Sequence, residues 1–187
     1  MPSKPLPLPL FPLETNLAAP HSGAWHVGLE DPARTVMTDF HEKGLVAVAR
    51  TLQVDEALEV MKHAGVRSAF VLDEGRTSVL GLITAYDIMG EKPIRHLQLV
   101  GGSREEVLVS DIMDRAGGWE VSRLVDVDRA KVSSVLDTFA RVGRTHLAVV
   151  DDDPDPAKGP RLRGLFSAAK LLRLSERARR AAKAAKG

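Results

Sequence analysis

The sequence predicts an α+β fold built from two similar halves, and three observations carry that prediction. An apolar face at helical spacing, Val54, Ala57, Leu58, Met61 and Ala64, returns at one constant offset as Val132, Val135, Leu136, Phe139 and Val142. At the same offset Phe70-Val71-Leu72-Asp73 returns as Ala148-Val149-Val150-Asp151, two short apolar runs that close in an acidic turn. A glycine-led segment follows each run: Gly81-Leu82-Ile83-Thr84 in the first half, Gly164-Leu165-Phe166-Ser167 in the second.

Along the chain, residues 1–31 form a Pro-rich N-terminal arm. Its alternating Pro and Leu from Pro2 to Pro12 predict an extended, polyproline-like segment, either a loose terminus or an arm laid on its own fold or on a partner subunit. The prolines and the single Lys4 do not make the clean apolar stretch of a signal peptide. The first repeat spans 32–100. It opens with Val36-Met37-Thr38 and continues through helix and strand to a hairpin turn at Glu74-Gly75-Arg76-Thr77. Ser78 to Ile83 returns as a strand, and Thr84 to Met89 enters a helix. A polar linker, 101–106, starts at Gly101-Gly102-Ser103. The second repeat spans 107–176 and opens with Ile112-Met113-Asp114. Its hairpin turn is longer, through Asp152, Pro154, Pro156, Gly159 and Pro160, and its last helix runs from Ser167 to about Arg180. A basic tail, 177–187, follows. Each half therefore reads β-α-β-β-α. Neither is long enough to bury a large core, so the two small sheets are expected to pack face to face by pseudo-twofold symmetry.

Composition narrows the function classes. The chain has 187 residues, 44% hydrophobic and 27% charged, the balance of a globular domain. A net charge of +1 argues against a protein dominated by nucleic-acid or membrane electrostatics. There is no cysteine, which excludes disulfides, zinc-thiolate sites and a cysteine nucleophile, and fits a cytoplasmic location. No apolar run reaches the ~20 residues of a membrane-spanning helix.

The ordered set of motifs, occurring twice, resembles the CBS-domain family over roughly residues 32 to 175. The shared features are an apolar-Met opening, an Ala-Leu-x-x-Met-like helix face, an apolar pair closing in Asp, and an ending here written Gly81-Leu82-Ile83-Thr84-Ala85-Tyr86-Asp87. The resemblance implies a tandem CBS pair, or Bateman module. Such pairs bind AMP, ADP, ATP or related adenosyl ligands in clefts between the repeats and often assemble as homodimers.

The ending of the first repeat is the candidate nucleotide site. Thr84 to Asp87 lies where a strand hands over to a helix, whose N-terminal N–H groups favour a phosphate. Asp87, an acceptor with two oxygens, suits ribose hydroxyls, and Gly81 allows close approach of backbone or ligand. Thr84-x-x-Asp87 also has the spacing of a capping box, and the two readings are compatible. In the second repeat Ser167 keeps the hydroxyl but Lys170 stands where Asp is expected. Lysine cannot accept from ribose, although it can meet a phosphate. One competent site per chain is therefore expected, at Thr84 and Asp87. Arg67 and His146 precede the two Asp-ending strands and resemble phosphate-reading positions; the alternatives are a solvated arginine and a structural histidine. Val48, in Val46-Ala47-Val48, is a candidate for the adenine wall or a plain core position.

No nucleophile, metal-ligand or phosphate-loop constellation is present, so no catalysis, cofactor or metal is expected. Asp151-Asp152-Asp153 with Asp155 lacks the glycine and terminal glutamate of a calcium loop and reads as a solvated turn. The expected function is an adenine-nucleotide sensor that acts through an output partner protein. The alternatives are a ligand-free interaction module and, further off, nucleic-acid binding through Arg173, Arg177, Arg180, Lys183 and Lys186.

Overall fold

The computed structural model describes residues 27–152, 159–174 and 176. The repeated helical faces form the helices the periodicity predicts. Helix α1 (Val54–His63) buries Val54, Ala57 and Met61, while Asp55 and Glu56 in its first turn and Lys62 and His63 in its last turn complement its dipole. Its counterpart α6 (Val132–Val142) buries Val132, Val135 and Phe139 and stops at Gly143, whose φ of 63° is the left-handed geometry glycine adopts without strain.

Two four-stranded sheets result. In the first, β2 (Ala47–Ala49) pairs parallel with β3 (Ser68–Leu72), which pairs antiparallel with β4 (Val79–Thr84), which pairs with β5 (Asp114–Arg115). In the second, β6 (Ser122–Arg123) pairs parallel with β7 (His146–Asp151), which pairs antiparallel with β8 (Arg161–Ser167), which pairs with β1 (Thr38–Asp39). The remaining helices are short. Helix α2 (Ala85–Met89) and α3 (Lys92–Val100) follow β4, α4 (Val109–Ile112) precedes β5, and α5 (Leu124–Val127) follows β6. The backbone is again helical over 168–174.

The order of strands shows an exchange between repeats. The opening of the first sequence repeat, β1, lies on the second sheet, and the opening of the second, β5, lies on the first. The cores follow the same exchange. Ala33, Val36 and Met37 pack with Val135, Phe139, Phe166 and Leu171. Val107, Val109 and Ile112 pack with Val54, Met61 and Ile83. Between the sheets Phe70, Leu82 and Leu165 form a third core, completed by Phe40, Leu72, Val79, Trp119 and Leu162. The period of two along β3 explains the layering: Ala69 and Val71 face the helices, Phe70 and Leu72 the other sheet. Phe70 meets Phe40 and Trp119 edge-on, with ring centroids 5.4 and 6.3 Å away.

Each hairpin carries a bulge at the same place, between Val71 and Leu72 on β3 and between Val149 and Val150 on β7. Leu80 and Arg163 are the extra residues opposite those steps, and a bulge re-aims the side chain it carries. Leu80 turns onto the first core. Arg163 is buried and donates to both oxygens of Asp39, at 3.1 and 2.7 Å, which ties β8 to the exchanged strand β1. Arg34 adds a contact to Asp39 at 3.3 Å.

Candidate functional site

The last turn of β4 and the first of α2 form a complete capping box. The Asp87 amide donates to Thr84 Oγ1 at 3.0 Å, and the Thr84 amide donates to Asp87 Oδ2 at 2.9 Å. Lys92, at the start of α3, closes on the other oxygen, with Nζ 2.8 Å from Asp87 Oδ1, and also donates to the Ile112 carbonyl at 3.1 Å. Both oxygens of Asp87 are thus engaged within the protein. A ribose placed there would compete with Lys92 for Oδ1.

Gly81 has a local structural reason. A Cβ at this position would stand 2.4 Å from the Asp114 carbonyl oxygen. Its counterpart Gly164 would meet Met37 Sδ at 2.7 Å and the Thr38 carbonyl oxygen at 2.9 Å. The glycine pair admits the two exchanged strands. The close approach at Gly81 is therefore that of backbone, and Val48 is buried among Val54, Ala69 and Val71 in the first core.

Four of the sequence-predicted residues do come together. Arg67, His146, Ser167 and Lys170 line a cavity of about 500 Å³ between the repeats, at the strand ends where Thr84 and Ser167 lie. Phe40, Val46, Val66, Phe70 and Leu165 give it an apolar wall. Thr84, Asp87, Gly81 and Val48 are not among its lining residues. Sequence reasoning missed Lys43 and Thr38, which the exchange of β1 brings in, and assigned Arg173 only to a basic helix.

The electrostatics of the cavity are one-sided. Lys43, Arg67, Lys170 and Arg173 line it, and no Asp or Glu does. Lys170 Nζ lies 3.4 Å from the Met37 carbonyl and 3.4 Å from Thr38 Oγ1. Burial, and then the charges of Lys43 and Arg173, hold the Lys170 ammonium below its ordinary pKa. Burial also lowers His146, against the raising pull of Asp87 and Asp114. His146 thus lines the cavity while feeling the carboxylates of the pseudo-twofold related position. Among the described residues, no three His, Asp or Glu side chains gather as a metal site, and no helix is long and apolar enough to cross a membrane.

The CBS domain family model matches residues 33–93. The fold is shared with an uncharacterized conserved protein from Pyrococcus horikoshii (23% identity, TM-score 0.54), covering 80% of this chain and 95% of that one. CBSX2 of Arabidopsis thaliana in complex with AMP is similar at 22% identity and TM-score 0.51, over 80% of this chain and 98% of that one. The CBS-domain protein ATU1752 from Agrobacterium tumefaciens is similar at 16% identity and TM-score 0.51, over 74% and 93% of the two chains. No curated protein matches the sequence. Residues 33–93 thus match a CBS domain, and the two sheets with their exchanged openings have the fold of these CBS-domain proteins.

Proposed function

We propose that this CBS pair is a regulatory module without catalysis that binds an adenine nucleotide between its repeats and passes the occupancy to a partner protein in the cytoplasm. The observation that carries the reading is the cavity itself. Its volume of about 500 Å³ suits a small ligand, with an apolar wall for a base and basic groups at Arg67 and Lys170 for phosphate. CBSX2, of similar fold, has been solved with AMP. Thr84 and Asp87 form the pseudo-twofold counterpart of Ser167 and Lys170, where a second nucleotide would have to contend with Lys92.

Calorimetric titration of the full chain with ATP tests this. Binding is expected, weakened ~10-fold by Arg67→Ala, about the loss of one charge-assisted hydrogen bond. Asp87→Ala should leave the titration unchanged if one nucleotide binds per chain; a second equivalent lost in that variant would assign a nucleotide to Thr84 and Asp87 as well. No heat and no thermal shift with AMP, ADP or ATP at millimolar concentration would favour an interaction module without ligand.

The occupancy of one cavity can reach a partner only by favouring one arrangement of the repeats or of two copies. A second copy is our proposed first partner. Helices α2 and α3 lie against each other and leave Tyr86 (83%), Met89 (66%) and Leu99 (86%) exposed, large apolar side chains that a second copy could cover. The double variant Tyr86→Glu, Leu99→Glu should sediment as a monomer where the native chain sediments as a dimer.

A further inference from the structure

We propose that the cavity beside Lys170 recognises a chain of phosphates rather than a nucleoside, so that its ligand is a nucleoside triphosphate held mainly by its phosphate chain. This rests on the reading above that the cavity takes a nucleotide, and specifies which part of it is read.

Three observations lead there. Four basic side chains, Lys43, Arg67, Lys170 and Arg173, line one cavity with no carboxylate among them. Among the described residues none of the four forms an ion pair, although Asp and Glu pair with Arg34, Lys62, Lys92, Arg95, Arg104, Lys131, Arg144 and Arg163 elsewhere on the chain. Lys170 then occupies the position that is a carboxylate, Asp87, in the first repeat. A ribose offers donors to a carboxylate, and an ammonium cannot accept them.

Like charges lining one cavity repel one another, and the charges of Lys43 and Arg173 add to burial in disfavouring the Lys170 ammonium. A polyanion relieves that repulsion in proportion to its charge. Hydroxyls at Thr38, Ser68 and Ser167 add neutral donors among the cations. A single phosphate carries too little charge to balance four basic groups, whereas a triphosphate brings several anionic oxygens to the cavity that Arg67 and Lys170 both line. Arg67 supplies the forked, planar donor set and Lys170 the point charge.

The test uses the full chain and compares adenosine, AMP, ADP, ATP and inorganic tripolyphosphate by calorimetry, at low and moderate salt. Affinity should rise about tenfold for each added phosphate, fall with salt, and be retained by tripolyphosphate, which should displace ATP. Arg67→Ala, an exposed position, should flatten the series. Arg173→Ala, also exposed, serves as a second probe, so the outcome does not rest on a variant at half-buried Lys170. If AMP and ATP bind alike and tripolyphosphate does not bind, the phosphate-chain inference fails while the nucleotide reading stands. If tripolyphosphate binds and ATP does not, the nucleotide reading fails and recognition of a phosphate chain stands. Absence of binding by every member of the series overturns both.

Discussion

Replacing Arg163 by methionine should cost about 3 kcal/mol of stability at neutral pH, the lower end of the effect of stranding one partner of a buried ion pair. The low end applies because the pair lies just beneath the surface, where half-exposed Arg34 still reaches Asp39. In the native chain burial pushes the Asp39 carboxyl up, but the His41 amide and the charges of Arg163 and Arg34 outweigh it and hold the group below its ordinary value. In the unfolded chain the carboxyl titrates near pH ~3.9. The stabilisation from the pair is therefore complete above that value and fades as pH falls through the lower native one. In Arg163→Met the order reverses, since protonation now relieves the stranded carboxylate. Urea denaturation at pH 7 and near pH 4 should show the deficit shrinking with acid. A deficit equal at both would mean that packing, not charge, is responsible. The double variant Asp39→Leu, Arg163→Met should recover most of the loss, because a buried pair replaced as a unit by apolar groups is often nearly neutral.

Gly81→Ala should destabilise by about 2–3 kcal/mol, the upper part of the range for an overpacked core position. The obstacle is the Asp114 carbonyl at 2.4 Å from the new methyl group, and a backbone atom cannot swing away as a side chain does. Strand β5 would have to retreat from β4, breaking the Gly81↔Arg115 and Leu82↔Asp114 pairs. Gly164→Ala should cost less, because the nearest atom there is the Sδ of Met37, a flexible side chain, and the backbone obstacle, the Thr38 carbonyl oxygen, stands farther off at 2.9 Å. Thermal denaturation of the two variants should therefore rank Gly81→Ala below Gly164→Ala. Hydrogen exchange at Leu82 and Arg115 should locate the loss in the first sheet. The reverse ranking would mean that Gly81 matters for a reason other than the seat of β5.

Much of this architecture was legible in the sequence because periodic burial leaves periodic residues. The faces of α1 and α6, and strands β3 and β7, were written in apolar spacing that recurs at one offset. The exchange of β1 and β5 was not, because a two-residue strand has no period and Thr38-Asp39 and Asp114-Arg115 are polar. The cavity was half legible for the same reason. Arg67, Ser167 and Lys170 stand at repeat-related positions, but Lys43 enters the cavity only through the exchanged opening. The spacing of Thr84 and Asp87 announced both a cap and a ribose acceptor. What spacing could not announce was Lys92 seated on the carboxylate. Residues 1–26 of the Pro-rich arm, the middle of the long turn and the basic tail lie outside the described residues, while the end of the arm packs on the second repeat through Val27 and the pair Glu30–Lys131.

The pairing of Thr38 with Leu165 also sets a schedule for synthesis of the chain. Strand β1 leaves the ribosome well before β8, the strand on which it docks, has been made. At roughly 5–20 residues per second, the segment around Val36 and Met37 waits on the order of ten seconds with its apolar side chains exposed. A nascent chain halted within the linker at 101–106 has neither completed sheet, since β5 and β8 are both still to come. The module is therefore committed to folding late and whole, and a ribosome stall before β8 would leave Met37 and its neighbours as a surface for chaperones.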